Sequence, residues 1–130
     1  MAILKYVVEF YATHNIYINF KSSIWVNDIE SVIRKGYLDN LKYYISLGIS
    51  YRDMFTYNGL TNLLGNASDN EHLDITKYLV SLSELHMPAI EIYHVIKSHL
   101  RLRRHVHNNI NQQEINEYLL SVKQRIKKIE

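Results

Sequence analysis

A short motif recurs along this chain at a nearly constant interval, and that interval restricts the fold more than any other feature. Leu4-Lys5-Tyr6-Val7-Val8 returns as Leu41-Lys42-Tyr43-Tyr44-Ile45 and again as Thr76-Lys77-Tyr78-Leu79-Val80, so the Lys-Tyr pairs stand 37 and then 35 residues apart. A fainter copy, Glu117-Tyr118-Leu119-Leu120, follows 40 residues later. Two copies share a lead-in at the same offset of 35, Gly36-Tyr37-Leu38-Asp39-Asn40 and Glu71-His72-Leu73-Asp74-Ile75. A repeat of this length marks a supersecondary unit that cannot bury its apolar face alone and must lean on its neighbours.

Each unit reads as two short helices and a turn. Leu38, Leu41, Tyr44 and Ile45 recur at three and four residues, one apolar stripe of a helix, and Gly48 stands where a left-handed cap closes such a helix. Ile29, Val32 and Ile33 form a shorter stripe closed by Gly36, with Asn27 or Asp28 placed to cap its start. Helices of two or three turns are marginal in isolation, so their stability has to come from packing between pairs. Helices are expected near 2–14, 27–35, 38–47, 60–68, 72–83, 89–106 and 112–128. Segments 16–26 and 48–58 are expected as projecting hairpin-like fingers, the first containing the alternating Tyr17-Ile18-Asn19-Phe20.

These residues resemble the ankyrin repeat. Asn58-Gly59-Leu60-Thr61-Asn62-Leu63 is similar to the family's entry into a first helix, and Glu71-His72-Leu73-Asp74-Ile75-Thr76-Lys77-Tyr78-Leu79-Val80 to its second helix. Gly36-Tyr37-Leu38-Asp39 through Ser46-Leu47-Gly48-Ile49-Ser50 resembles the same stretch one repeat earlier. Asn62, Leu64 and Glu71 depart from the family's Pro, His and Gly, and the longer spacing implies small insertions in the turns. Met1–Asn15 looks like a second helix without a first. The resemblance implies an all-α stack of about three degenerate helix–turn–helix repeats over residues 1–88. A divergent helical cap at 89–130 belongs to the same domain. It also implies that His72 has a structural role between repeats. Tyr6, Tyr43 and Tyr78 share one position in the unit, which points to packing between repeats.

Composition narrows the setting. Cysteine is absent, which removes disulfide scaffolds, thiol catalysis and Cys-ligated zinc. No apolar run reaches membrane-spanning length, and the start is too soon charged for a signal peptide, so an intracellular, cytoplasmic protein away from the membrane is expected. The net charge of +2 hides an asymmetry: residues 1–96 carry seven Lys/Arg against ten Asp/Glu, and residues 97–130 carry eight against three.

Catalytic and metal chemistry find little support. His105 and His107 stand two residues apart, and His94 and His99 five, so neither pair converges on one helix face. Ser68-Asp69-Asn70 matches one fragment of a penicillin-binding signature whose partner motifs are missing, and the four glycines build no phosphate loop. No enzyme, metal or cofactor is expected.

The expected function, implied by the resemblance, is non-catalytic recognition of another protein through the concave face of the repeats. Tyr and Arg dominate such surfaces because they join large contact area to a polar tip. The residues singled out are Tyr51, Arg52, Asp53 and Tyr57 on one finger and Asn19, Lys21 and Trp25 on the other. The worn, Asn-, Ile-, Lys- and Tyr-rich repeats are similar in style to ankyrin-like proteins of large DNA viruses and intracellular bacteria, which implies a host factor as partner. A basic stripe of Lys97, Arg101, Arg104 and His105 supports a rival reading as a small nucleic-acid binder, although nucleic acid is not the expected partner. A self-assembling module, monomer or homodimer, is the other rival.

Overall fold

The computed structural model describes residues 5–6, 9–10, 13–14, 25–49, 54–102 and 110–129, and among them it is helical throughout, with no strand. Residues 5, 6, 9, 10 and 13 are helical, and six further helices follow among the described residues. They are α1 (Val26–Lys35), α2 (Leu38–Ser46), α3 (Tyr57–Asp69), α4 (Leu73–His86), α5 (Ala89–Leu102) and α6 (Ile110–Ile129). No described helix is long and apolar enough to cross a membrane.

Each helix exists because its apolar spacing meets a neighbour. Ile29, Val32 and Ile33 of α1 are buried, as is Leu41 of α2, while Leu38, Tyr44 and Ile45 pack half-buried around the same core. Leu60, Leu63, Leu64 and Ala67 of α3 are fully buried. Helix α3 packs on α1, α4 and α5 and also touches α6, so it is the centre of the structure. Helix α1 packs on α2, α4 on α6, and α5 on α6, whose Ile115, Leu119, Val122 and Ile126 face inward at four, three and four residues.

Three turns repeat one hydrogen-bond pattern. Gly36 N–H donates to the Ile33 carbonyl and Tyr37 N–H to Val32; Gly48 donates to Ile45 and Ile49 to Tyr44; Glu71 donates to Ser68 and His72 to Ala67. This pairing closes the free carbonyls of a helix end and requires a left-handed residue. Gly36 and Gly48 supply it with φ of 79° and 80°, and Glu71 adopts φ 64° in the position Gly36 holds 35 residues earlier. A side chain with Cβ is strained there. Glu71→Gly is therefore expected to stabilise the protein by about 0.5–1 kcal/mol, read as a raised midpoint in urea unfolding. An unchanged or lowered midpoint would show that the exposed hydrogen bond from Asn111 to Glu71, 3.3 Å, outweighs the backbone strain.

Helix boundaries departed from expectation where caps and proline acted. Helix α1 begins at Val26 after Trp25, without the side-chain cap expected from Asn27 or Asp28. The second finger, expected over 48–58, ends earlier because the Thr56 hydroxyl accepts the Gly59 N–H at 3.1 Å and starts α3 at Tyr57, three residues before its apolar stripe. The end of α3 falls at Asp69, one residue beyond the expected 68. Helix α4 runs on to His86 and stops because Met87, preceding Pro88, is forced into extended backbone (φ −132°, ψ 149°). The Pro88 carbonyl then accepts the N–H groups of Glu91 and Ile92 as α5 begins.

Side chains link successive copies of the repeated motif. The Lys42 ammonium lies 5.6 Å from the centre of the Tyr78 ring, and the Lys77 ammonium 5.6 Å from that of Tyr118. Thus the lysines of the second and third copies each cover the next copy's tyrosine, an attraction of about 0.5–1 kcal/mol at an exposed site. Tyr6 does not share this fate: it is 68% exposed, and its ring stacks toward Phe10 within its own helix at 6.3 Å.

Burial raises the Tyr78 hydroxyl above its ordinary range. Burial, reinforced by Asp28, does the same to Tyr44. Tyr118 is raised by burial and by Glu84, against an opposing pull from Arg125. A phenol raised on folding binds its proton more tightly in the native state, so its contribution is complete below about pH 10 and is lost as the pH climbs through the native values. Stability is expected to fall on that alkaline side, and the fall should shrink in Tyr44→Phe/Tyr78→Phe/Tyr118→Phe. Denaturant unfolding between pH 8 and 11 tests this, and an equal fall in the triple variant would refute it.

Candidate functional site

Helices α1, α3 and α5 lie side by side, and the sides they turn away from the core form one polar face. On α1 it exposes Asn27 and Arg34, on α3 Asn58, Asn62 and Asp69, and on α5 Lys97 and Arg101. Asn62 donates to Glu30 at 2.6 Å, tying α3 to α1, and Glu30 also pairs with Arg34 at 3.9 Å.

The α5 edge of this face has the most definite chemistry. Ile90, His94, Lys97 and Arg101 recur at four, three and four residues, and all four are exposed. Ile92, Val95, Ile96 and His99 occupy the opposite, buried side. The ridge is rimmed by two tyrosines. Toward α3, the Tyr57 hydroxyl meets Ser98 Oγ at 2.7 Å. Toward α6, the Tyr93 ring stands edge-on to His94 at 5.4 Å, and the Lys123 ammonium lies 6.0 Å from its centre.

Beneath the ridge, a buried polar contact registers α5 on α3. Ser68 Oγ donates to the Leu64 carbonyl at 2.6 Å and lies 2.8 Å from His99 Nε2. The hydroxyl has one proton, already given to Leu64, so His99 Nε2–H donates to Ser68. The pair has a nucleophile–base distance, yet the ring nitrogen facing the hydroxyl carries a proton, and Ser68 is wholly buried.

Helix ends are tied across the structure in the same way. His72 Nε2–H donates to the Arg34 carbonyl at 2.7 Å, at the end of α1, and Gln112 Nε2 donates to the Ser68 carbonyl at 3.1 Å, near the end of α3. His72 thereby ties the start of α4 to the end of α1. His14 Nδ1–H reaches the Phe10 carbonyl at 2.8 Å, one turn back along its own helix. The His86 ring stacks on Phe55 at 4.4 Å.

Of the residues singled out from the sequence, Tyr51, Arg52, Asp53, Asn19, Lys21, Arg104 and His105 lie outside the described residues. Trp25 is half-buried, edge-on to Tyr44 at 6.2 Å, and so braces the start of α1 against α2. Tyr57 is 41% exposed and stands beside the basic stripe through Ser98, which joins one member of the recognition set to Lys97 and Arg101. Sequence reasoning passed over Ile90 and Tyr93, and weighed His94 only as a metal ligand. The signal was present: Ile90 stands seven residues before Lys97, two turns along the same stripe.

Among the described residues no group of three His, Asp or Glu is placed to hold a metal ion. An open cleft of about 580 Å³ is lined by Gly36 to Asn40 and Asp74. Its carboxylates, Asp39 and Asp74, stand in the first turns of α2 and α4, where they offset the helix dipoles. No protein-family model, curated protein or solved structure matches this chain.

Proposed function

We propose that the chain is a stack of three degenerate ankyrin-like helix–turn–helix pairs, α1–α2, α3–α4 and α5–α6, and that it acts as a non-catalytic protein-binding module. The observation that carries this reading is the recurrence of the same contacts from pair to pair. Lysine covers the next tyrosine at Lys42–Tyr78 and Lys77–Tyr118, and a side chain opening a second helix bonds the end of the preceding pair's first helix at His72–Arg34 and Gln112–Ser68. Such a line of pairs presents a wide surface on rigid elements, so little ordering entropy opposes association.

The partner, in this reading, is a protein that lies along the exposed face of α1, α3 and α5. Residues 89–130, expected as a divergent cap, serve as the third pair and turn Gln113, Glu117 and Gln124 outward. The worn repeats favour a host factor as the partner and the cytoplasm as the setting.

Affinity capture from cell lysate, followed by hydrogen exchange on the reconstituted complex, tests the reading. Protection on α1, α3 and α5, with at least a tenfold loss of affinity in Asn62→Arg, is expected. Protection confined to the opposite helices, or no captured protein from the folded chain, would overturn it.

A further inference from the structure

We infer that the α5 ridge is the anchoring point for an acidic protein segment carrying an apolar side chain, a conclusion that rests on the protein-binding reading above. Its residues divide the task. Lys97 and Arg101 sit one helical turn apart and exposed, matched to two carboxylates a turn apart on the partner. Ile90, 42% exposed on the same line, offers apolar contact at the ridge's far end. Tyr57 and Tyr93 wall the two sides, each already oriented, Tyr57 by Ser98 and Tyr93 by Lys123. Side chains held in place before binding lose less rotamer freedom on contact, which is what a hot spot requires.

Charge separates this partner from a nucleic acid. The described cations of the ridge are Lys97 and Arg101, with Lys123 half-buried on α6 beside it, fewer than the roughly 6–10 phosphate contacts of a strongly salt-dependent duplex binder. Helix α3, packed beside α5, ends in Asp69 and is followed by Glu71, both exposed, so a long polyanion crossing this face would meet repulsion. The Tyr93 ring already has Lys123 near its face, which removes the platform a base would stack on. A short acidic peptide needs only the two cations and no stacking platform, and it can use Ile90.

Fluorescence anisotropy with the whole chain tests the inference. The probes are a labelled 16-residue peptide of Glu and Asp with two Leu one helical turn apart, the same peptide with Lys in place of the acids, a 20-nucleotide single strand and a 20-base-pair duplex. The acidic peptide should bind at least tenfold more tightly than the other three. Lys97→Glu/Arg101→Glu should weaken it at least tenfold, Ile90→Ser about threefold, and Lys35→Glu on α1 should leave it unchanged. Circular dichroism melts confirm that each variant is folded. Equal binding of the peptide and either nucleic acid, or indifference to Lys97→Glu/Arg101→Glu, would overturn the ridge proposal. The lysate experiment keeps the two readings apart. A captured partner protecting α1 and α3 but insensitive to the charge reversal removes the ridge alone, whereas a folded chain that captures nothing removes the protein-binding reading itself.

Discussion

Gly36→Ala is expected to destabilise the protein by about 2–3 kcal/mol, whereas Gly48→Ala, at the same backbone angle, should cost about 1 kcal/mol. The two glycines differ by a single degree in φ, 79° against 80°, so the backbone penalty is shared. Their surroundings are not. A Cβ at Gly36 would stand 2.6 Å from the His72 ring, while a Cβ at Gly48 meets nothing within 4 Å. Alanine at 36 must push the ring aside and break its bond to the Arg34 carbonyl, leaving the end of α1 without that partner. Urea unfolding of both variants, alone and combined with His72→Ala, measures the difference. In the His72→Ala background the Gly36 change should fall to the Gly48 value, and equal costs in the wild-type background would refute the account.

The second large effect is expected at the centre of the structure. Leu64→Ala should cost about 3–4 kcal/mol, a large part of the 5–15 kcal/mol that holds a domain of this size together. Leu64 is fully buried on the helix that packs against α1, α4 and α5, and its carbonyl receives the Ser68 hydroxyl. Removing its side chain leaves a cavity that several helices would have to close at once. Leu120, of the same residue type but 44% exposed on α6, should change stability by less than about 1 kcal/mol when truncated. Thermal and urea unfolding followed by circular dichroism compare the two. Similar losses at 64 and 120 would mean that the burial pattern, and the helix packing behind it, is wrong.

Much of the fold was legible before any coordinate. The stripe at Ile29, Val32 and Ile33 is buried as its spacing requires, Gly36 closes α1 as expected, and Gly48, after α2, has the left-handed conformation expected of it. Boundaries were less legible where a local bond outweighed hydrophobic spacing. Thr56 starts α3 ahead of its stripe, and Pro88, through the extended Met87, decides where α4 stops. Glu71 illustrates a different limit. Its alignment with Gly36 was readable, but not that the turn keeps its shape despite the Cβ.

The candidate face was legible only in part. Lys97 and Arg101 were identified as one exposed stripe, and Tyr57 as a recognition residue, yet their nearness came from the packing of α5 on α3, through Ser98. His99, chemically a polar residue on the apolar side of its helix, is buried because Ser68 of another helix offers its hydroxyl there.

Periodicity is a property of one segment and its own side chains, so the sequence by itself determined that the chain makes short amphipathic helices, where most of them end, and which residue types recur in each. Which helix meets which, that His72 caps the Arg34 end rather than its own, and that two tyrosines flank one basic ridge are properties of residues 30 to 40 positions apart. Those distances in sequence exert no force until the buried stripes have brought the helices together, and only the tertiary structure sets them.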